Sequence, residues 1–298
     1  MTRAYSILLA CASLITASAQ SQTVPDWQTA AGGKRSFEVA SVRKSSGPFA
    51  SPSFPLDEGD AFRPTGNAFH ADFPLTVFIQ FAYKFRLPPE QMQSVLARLP
   101  KWVATDRFTI QARAEGIPTK DQFRLMMQAL LADRFKLAIH FETPEMPVFA
   151  LTLLRPGKPG PKLRPHAEGP SCDAPAGGDV FPPACDVVAF VMNVKSPGTR
   201  MLGSRNTTLE LVASAIGAPA RLGRPVLDRT GLSGRYDFVI EWMQEPNGPV
   251  QPDKDVGTDL PGPSFLDALR EQLGLKLEAT RGPVRMPFID HVESPTEN

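Results

Sequence analysis

The residues best suited to acid–base chemistry are Asp290, His291 and Glu293, close together near the end of the sequence. A histidine beside carboxylates can take and return a proton near neutral pH. The segment reads as a strand, however, so Asp290 and His291 point to opposite faces and cannot both reach one substrate. His140 shares a strand face with Lys136 and Glu142, the composition of a solvated surface, and His70 is isolated. A nucleophilic serine needs a base and a sharp turn. Gly231-Leu232-Ser233-Gly234 does not fit G-x-S-x-G and reads as a tight turn into a strand beginning at Tyr236. Gly157-Lys158-Pro159-Gly160 sets a lysine among glycines, but it lacks phosphate-loop spacing and its proline removes an amide donor that a phosphate would use. The sequence therefore nominates no catalytic set, no cofactor-binding residues and no metal ligands, and it leans away from an enzyme. Glu38, Asp106 and Asp228 are the acids that a hydrolase reading would place at a groove.

Cysteine chemistry is more definite. The start of the chain carries Arg3, an apolar run from Tyr5 to Ile15 and then Ala17-Ser18-Ala19, the pattern of a secretory signal cleaved after Ala19. A rival reading makes Leu8-Leu9-Ala10-Cys11 a lipoprotein box with Cys11 acylated, but few apolar residues precede that cysteine. Loss of the signal removes Cys11 and leaves Cys172 and Cys185, an even number in an oxidising compartment, which predicts a disulfide between them. The stretch they enclose is rich in Pro and Gly, and closing it could remove about 3 kcal/mol of chain entropy. A zinc reading would need further ligands, and only His166 lies near. The apolar run is well short of the roughly 20 residues of a membrane-spanning helix, and no later segment is long and apolar enough. The expectation is an exported, periplasmic or extracellular protein with no transmembrane segment.

The signal holds one basic residue and no acidic one, so the remaining chain balances 31 basic residues against 31 acidic ones. That balance offers no field for nucleic acid, and basic runs interleaved with aromatics are missing.

An internal repeat organises the rest. From Asp106 the chain reads DRFTIQARAEG, a polar gap, then FRLMMQALLADRFKLAIHFETPEMPVFALTL. From Gly234 it reads GRYDFVIEW, a Pro/Gly-rich gap, then FLDALREQLGLKLEATRGPVRMPFIDHV. Phe123, Met126, Met127, Leu130 and Leu131 form one helical face, with Thr119 and Gln122 as a capping box. Phe265, Leu266, Leu269 and Leu273 form the matching stripe, capped by Ser264 with Asp267 and stopped by Gly274. An upstream helix precedes each copy, around Leu75–Ala82 and Leu209–Ile216, the second with Thr207 and Glu210 as its capping box. Phe37–Val42 alternates as a strand, and Phe108, Tyr236, Phe238 and Trp242 read as core. The expected fold class is α+β, with two tandem units of order strand-helix-strand-helix-strand-strand whose helices pack on a small sheet. The units are 36–155 and 187–298, the Pro/Gly-rich 156–186 is a linker or loop, and 20–35 is disordered.

FEVASVRKS, LLADRFKL, GRPVLDRTGLSGRYDF and the ending IDHVESPTEN resemble the soil-associated family of exported bacterial proteins of unknown function abundant in Acidobacteria. The resemblance runs from about Phe37 to Asn298 and brings no catalytic residues with it. The repeat unit is also similar, by element order, to the small secretin and TonB N-terminal module that mediates protein contacts in the periplasm. Together these features imply a non-enzymatic binding or interaction module for a protein or peptide partner in the cell envelope, recognised at sheet edges and a groove between the units. A hydrolase with its site between the units and a small-ligand sensor are the alternatives. Trp102, outside any regular periodicity, is a candidate contact surface.

Overall fold

The computed structural model describes residues 24–62, 66–167, 172, 182, 184–191, 199–243 and 262–295. The expected signal and its cleavage point lie outside the described residues, as does most of the stretch between the cysteines. In order the elements are α1 (Asp26–Ala30), β1 (Val39–Lys44), β2 (Ala68–Pro74), α2 (Leu75–Tyr83), α3 (Pro89–Leu96), α4 (Trp102–Thr105), β3 (Arg107–Arg113), α5 (Lys120–Arg134), β4 (Ala138–Glu142) and β5 (Glu145–Leu153). They continue with β6 (Leu163–Pro165), β7 (Ala189–Phe190), β8 (Thr199–Thr207), α6 (Leu209–Ile216), β9 (Val226–Asp228), β10 (Tyr236–Met243), α7 (Phe265–Leu273), β11 (Leu275–Pro283) and β12 (Met286–His291). This mixture of helices and mostly antiparallel strands is the α+β class that the patterns predict.

Local signals fix the helix ends. The Thr119–Gln122 capping box starts α5, with each side chain bonding the other residue's backbone N–H. Ser264 caps α7 through the Asp267 amide, and Gly274 ends it at φ 65, a left-handed stop that a residue with a Cβ resists. The α6 cap is Thr208 and not the expected Thr207. Thr207 is the last residue of β8, held there opposite Tyr236.

The sheets run in the orders β1-β3-β2 and β6-β10-β8-β7. Between them β5 and β4 pair antiparallel with β11 and β12. The register set by Leu153↔Leu275 passes through Glu145↔Pro283 and carries on without slip at Glu142↔Met286, so residues 138–153 and 275–291 form one long ribbon, with a bulge only at its far end. At its middle Val284 N donates to Pro144 O (3.1 Å). β9 joins the other edge of β5, parallel to it.

Two cores result, and each borrows from the far end of the chain. One gathers Phe69, Phe78, Phe108, Phe123 and Phe135 with Val284 and Met286. The other gathers Leu202, Val212, Phe238, Trp242 and Phe265 with Phe149 and Leu151. Each fully buried Phe or Leu adds about 1.5–3 kcal/mol. The linear reading, with each unit completing its own sheet, does not contain this exchange.

Two stretches differ from expectation. Residues 26–30, inside the segment expected to be disordered, form α1, and Trp27 lies under the Lys84 ammonium at 5.8 Å. Within the expected linker, β6 adds to the edge of β10. Gly160 N and Lys162 N bond the last carbonyls of α7, Leu273 O and Gln272 O, both at 2.8 Å. In both cases the partner is far away in sequence, so composition alone read as loop.

Candidate functional site

Strand alternation gives the β1-β3-β2 sheet one apolar and one polar face. Val42, Phe69, Ala71, Phe108 and Ile110 turn to the core. Register sets the polar residues in rows across the other face. Ser41, Gln111 and His70 form one row; Arg43, Thr109 and Asp72 form the next.

The connection from β1 to β2 folds back over this face as a roof. Ser45 Oγ donates to Asp72 Oδ2 (3.1 Å), and Arg107 reaches Asp72 Oδ2 (3.3 Å), Ser45 Oγ (3.1 Å) and Gly47 O. Farther along, Ser53 N donates to His70 O (2.8 Å) while Ser53 Oγ accepts from His70 N (2.8 Å). Phe49 meets Phe73 edge-on at 5.3 Å. Between roof and sheet lies an open cleft of about 300 Å³, lined by the Arg43–Thr109–Asp72 row together with Ser41, Gln111 and Ser45.

The electrostatics are asymmetric. Asp72 is 2% exposed, and its Oδ1 has no hydrogen-bond partner among the described residues. Leaving such an acceptor unmet costs on the order of 1–3 kcal/mol. At the other end of the row, Arg43 is exposed and its guanidinium has neither an ion pair nor a hydrogen bond among the described residues. The row thus offers a spare acceptor at its floor and a free guanidinium at its mouth. Beside it, β1 pairs among the described residues only with β3, which leaves its second edge open there.

The residues singled out in the sequence fall elsewhere. His140 Nδ1 lies 2.8 Å from Asp290 Oδ2 across the β4–β12 pair, stacked on Phe288, while His291 turns to Glu293 at 2.8 Å. Asp290 and His291 therefore serve different partners, as opposite strand faces require. The hydrogen bond that His140 donates to Asp290, with Glu142 adding to it, raises the His140 pKa above the ordinary value. A raised histidine stabilises the fold below its unfolded pKa and loses that contribution as pH rises through the folded one. Asp290→Asn is expected to return the His140 titration toward 6.5, followed through its ring proton shifts; an unmoved titration would assign the shift to Glu142.

Glu38, Asp106 and Asp228 do not converge. Glu38 precedes β1 and Asp106 pairs with Lys44 at the other end of that strand, while Asp228 in β9 accepts from Thr230 N. Trp102 is half-buried, its indole packed against Phe108 and Phe135. Gly231 and Gly234 take positive φ in the turn before β10. Cys172 and Cys185 are joined, their Cα atoms 5.4 Å apart. His166, the histidine nearest to them in sequence, bonds Asp237 Oδ1 at 2.7 Å. Sequence reasoning missed Arg43 and Asp72. The alternation of Phe69, Ala71 and Phe73 against His70 and Asp72 puts those two on one face, yet only the register to Thr109 and Arg43 makes a row of them.

No helix among the described residues is long and apolar enough to cross a membrane. No curated protein and no solved structure matches the chain. A family model described as a protein of unknown function, DUF3738, matches residues 76–292, so the chain belongs to the DUF3738 family.

Proposed function

We propose that this protein is an exported, non-enzymatic recognition module that takes an extended acidic segment of a partner protein in the cell envelope along the open edge of β1. The Arg43–Thr109–Asp72 row carries the reading. A peptide added to an open edge bonds through its main chain and gains specificity from alternate side chains. One such side chain, ending in a carboxylate, would meet Arg43, whose fork suits carboxylates. Asp72, across β3 from Arg43, holds the roof over this face through Ser45 and Arg107. Covalent catalysis needs a nucleophile and base in reach of each other, and this row holds one carboxylate among cations and neutral groups. The disulfide and the N-terminal signature support export.

The same proposal treats the chain as a duplicated unit. The order β1-β3-β2 matches β6-β10-β8, and Met146-Pro147 and Met286-Pro287 occupy like places on either side of the Pro144–Val284 contact. The copies then differ where recognition is proposed. β1 has six residues and an open edge, whereas its counterpart β6 has three.

Fluorescent extended peptides carrying Glu, Gln or Lys at one position test the reading by anisotropy. The Glu peptide is expected to bind best, and Arg43→Ala to weaken it by about tenfold or more, the size of a lost charge-assisted pair. Equal binding of the Lys peptide, or binding unaffected by Arg43→Ala, would overturn it.

A further inference from the structure

The roof over the cleft is the first half of the β1–β2 connection, and the second half of that connection is gripped from two sides. On one side is the segment that carries the disulfide. Ala184 to Asp186 lies along β8, with Arg205 N donating to Ala184 O and Asp186 N to Arg205 O, both at 2.9 Å. Asp186 sits at φ 55, and its buried carboxylate faces the connection. Its Oδ2 accepts from Asp60 N (2.5 Å) and Ala61 N (2.8 Å), and its Oδ1 accepts from Arg235. The approach is so close that a Cβ on Gly59 would stand 2.0 Å from Asp186 O.

On the other side are two buried cations of α5. Arg124 Nη2 donates to Gly59 O (2.7 Å) and Asp57 O (3.0 Å), its Nη1 donates to Asp60 (2.8 Å), and Lys120 Nζ meets Asp57 at 2.5 Å. Phe54 and Phe62 close the base of the gripped turn, ring centroids 4.9 Å apart. Ser53, next to Phe54, is the residue that pins the roof to His70. Contact therefore runs unbroken from the disulfide through Asp186 and the 57–61 turn to the roof.

We infer that the Cys172–Cys185 disulfide fixes the position of this roof, so that recognition at the β1 face depends on the redox state of the pair; the second clause rests on the proposed function. Reduction by a dithiol breaks the S–S bond and forms two thiols, while the dithiol gives up two electrons and two protons and closes to its own disulfide. Cys185 then loses its covalent tie, and the neighbouring Asp186 keeps only its noncovalent hold. Asp60 and Ala61 N–H depend on that carboxylate, so they report its release directly.

Hydrogen exchange of the full chain, oxidised and after treatment with a dithiol, tests the coupling, with opening of the disulfide checked by thiol count. Amides at 59–61 are expected to exchange about tenfold faster or more on reduction, with a smaller rise over 45–53 and none in β8 and β10. Asp186→Asn in the oxidised protein should loosen the same amides. The Cys172→Ser, Cys185→Ser double variant should match the reduced state and ignore the dithiol; should it fail to fold, reduction of the native chain and Asp186→Asn still decide. Unchanged protection at 59–61 in the reduced protein would overturn the inference, whether or not Asp186→Asn loosens these amides. Acidic-peptide affinity, measured on the same samples, should fall with reduction. If the oxidised protein binds no such peptide, the proposed function fails, while the exchange data alone decide whether the disulfide holds the roof.

Discussion

Replacing Arg124 with methionine is expected to lower the stability of the fold by about 3–5 kcal/mol, the usual cost of removing one partner from a buried charged set. The guanidinium is fully buried and serves Asp60, Asp121 and the carbonyls of Asp57 and Gly59. Methionine fills much of the volume and keeps the packing over Phe81, so the loss isolates the donors. Lys84 still reaches Asp60 and Asp121, and Lys120 still reaches Asp57, which keeps the loss toward the lower end of the range. Burial acts to raise the Asp60 pKa, yet Lys84 and Arg124 outweigh it and hold the carboxyl below its ordinary value. A lowered carboxylate adds stability above its unfolded pKa and loses it as pH falls through the folded one. The Arg124→Met penalty should therefore shrink in acid. Denaturant midpoints at neutral and acidic pH with an unchanged slope would show this; a neutral-pH loss under about 1 kcal/mol, the scale of a surface pair, would mean that the set does not hold the connection.

Gly274→Ala should be nearly as damaging, at roughly 3 kcal/mol from two sources. The residue stands at φ 65, where an L side chain is strained, and its Cβ would lie 2.5 Å from Gly160 N and 3.0 Å from Gly160 Cα. The neighbour is backbone and has little room to yield. Gly231→Ala separates the sources, since Gly231 has φ 71 with nothing within 4 Å of the added atom. Thermal midpoints should fall by about 6–12 °C for Gly274→Ala and by markedly less for Gly231→Ala. Equal shifts would show that the approach of Gly160 to Gly274 carries no weight.

Gly274 also marks how far the sequence could be read. Its place as a helix stop was legible because a stop is a local matter of stripe, cap and left-handed residue. Its contact with Gly160 was not, because Gly157–Gly160 reads as loop until α7 is set beside it. The same holds for the Thr119 box against the one-residue shift to Thr208, which depends on β8 pairing with β10. At the candidate site each ingredient was visible as an ordinary strand residue. Arg43, Thr109 and Asp72 come from three segments, and only the two registers place them in one row. Asp186 carried a signal that could have been used: it directly follows a cysteine expected to be fixed.

The long ribbon has a consequence for the order of events in folding. The first core closes over Val284 and Met286, and among the described residues the β4 strand pairs only with β12. A growing chain that has made everything up to Leu273 still lacks both. Its first core stays without Val284 and Met286 until β11 and β12 are added. Completion of the first core thus waits on contacts far apart along the chain, which slows folding relative to a unit that closes locally.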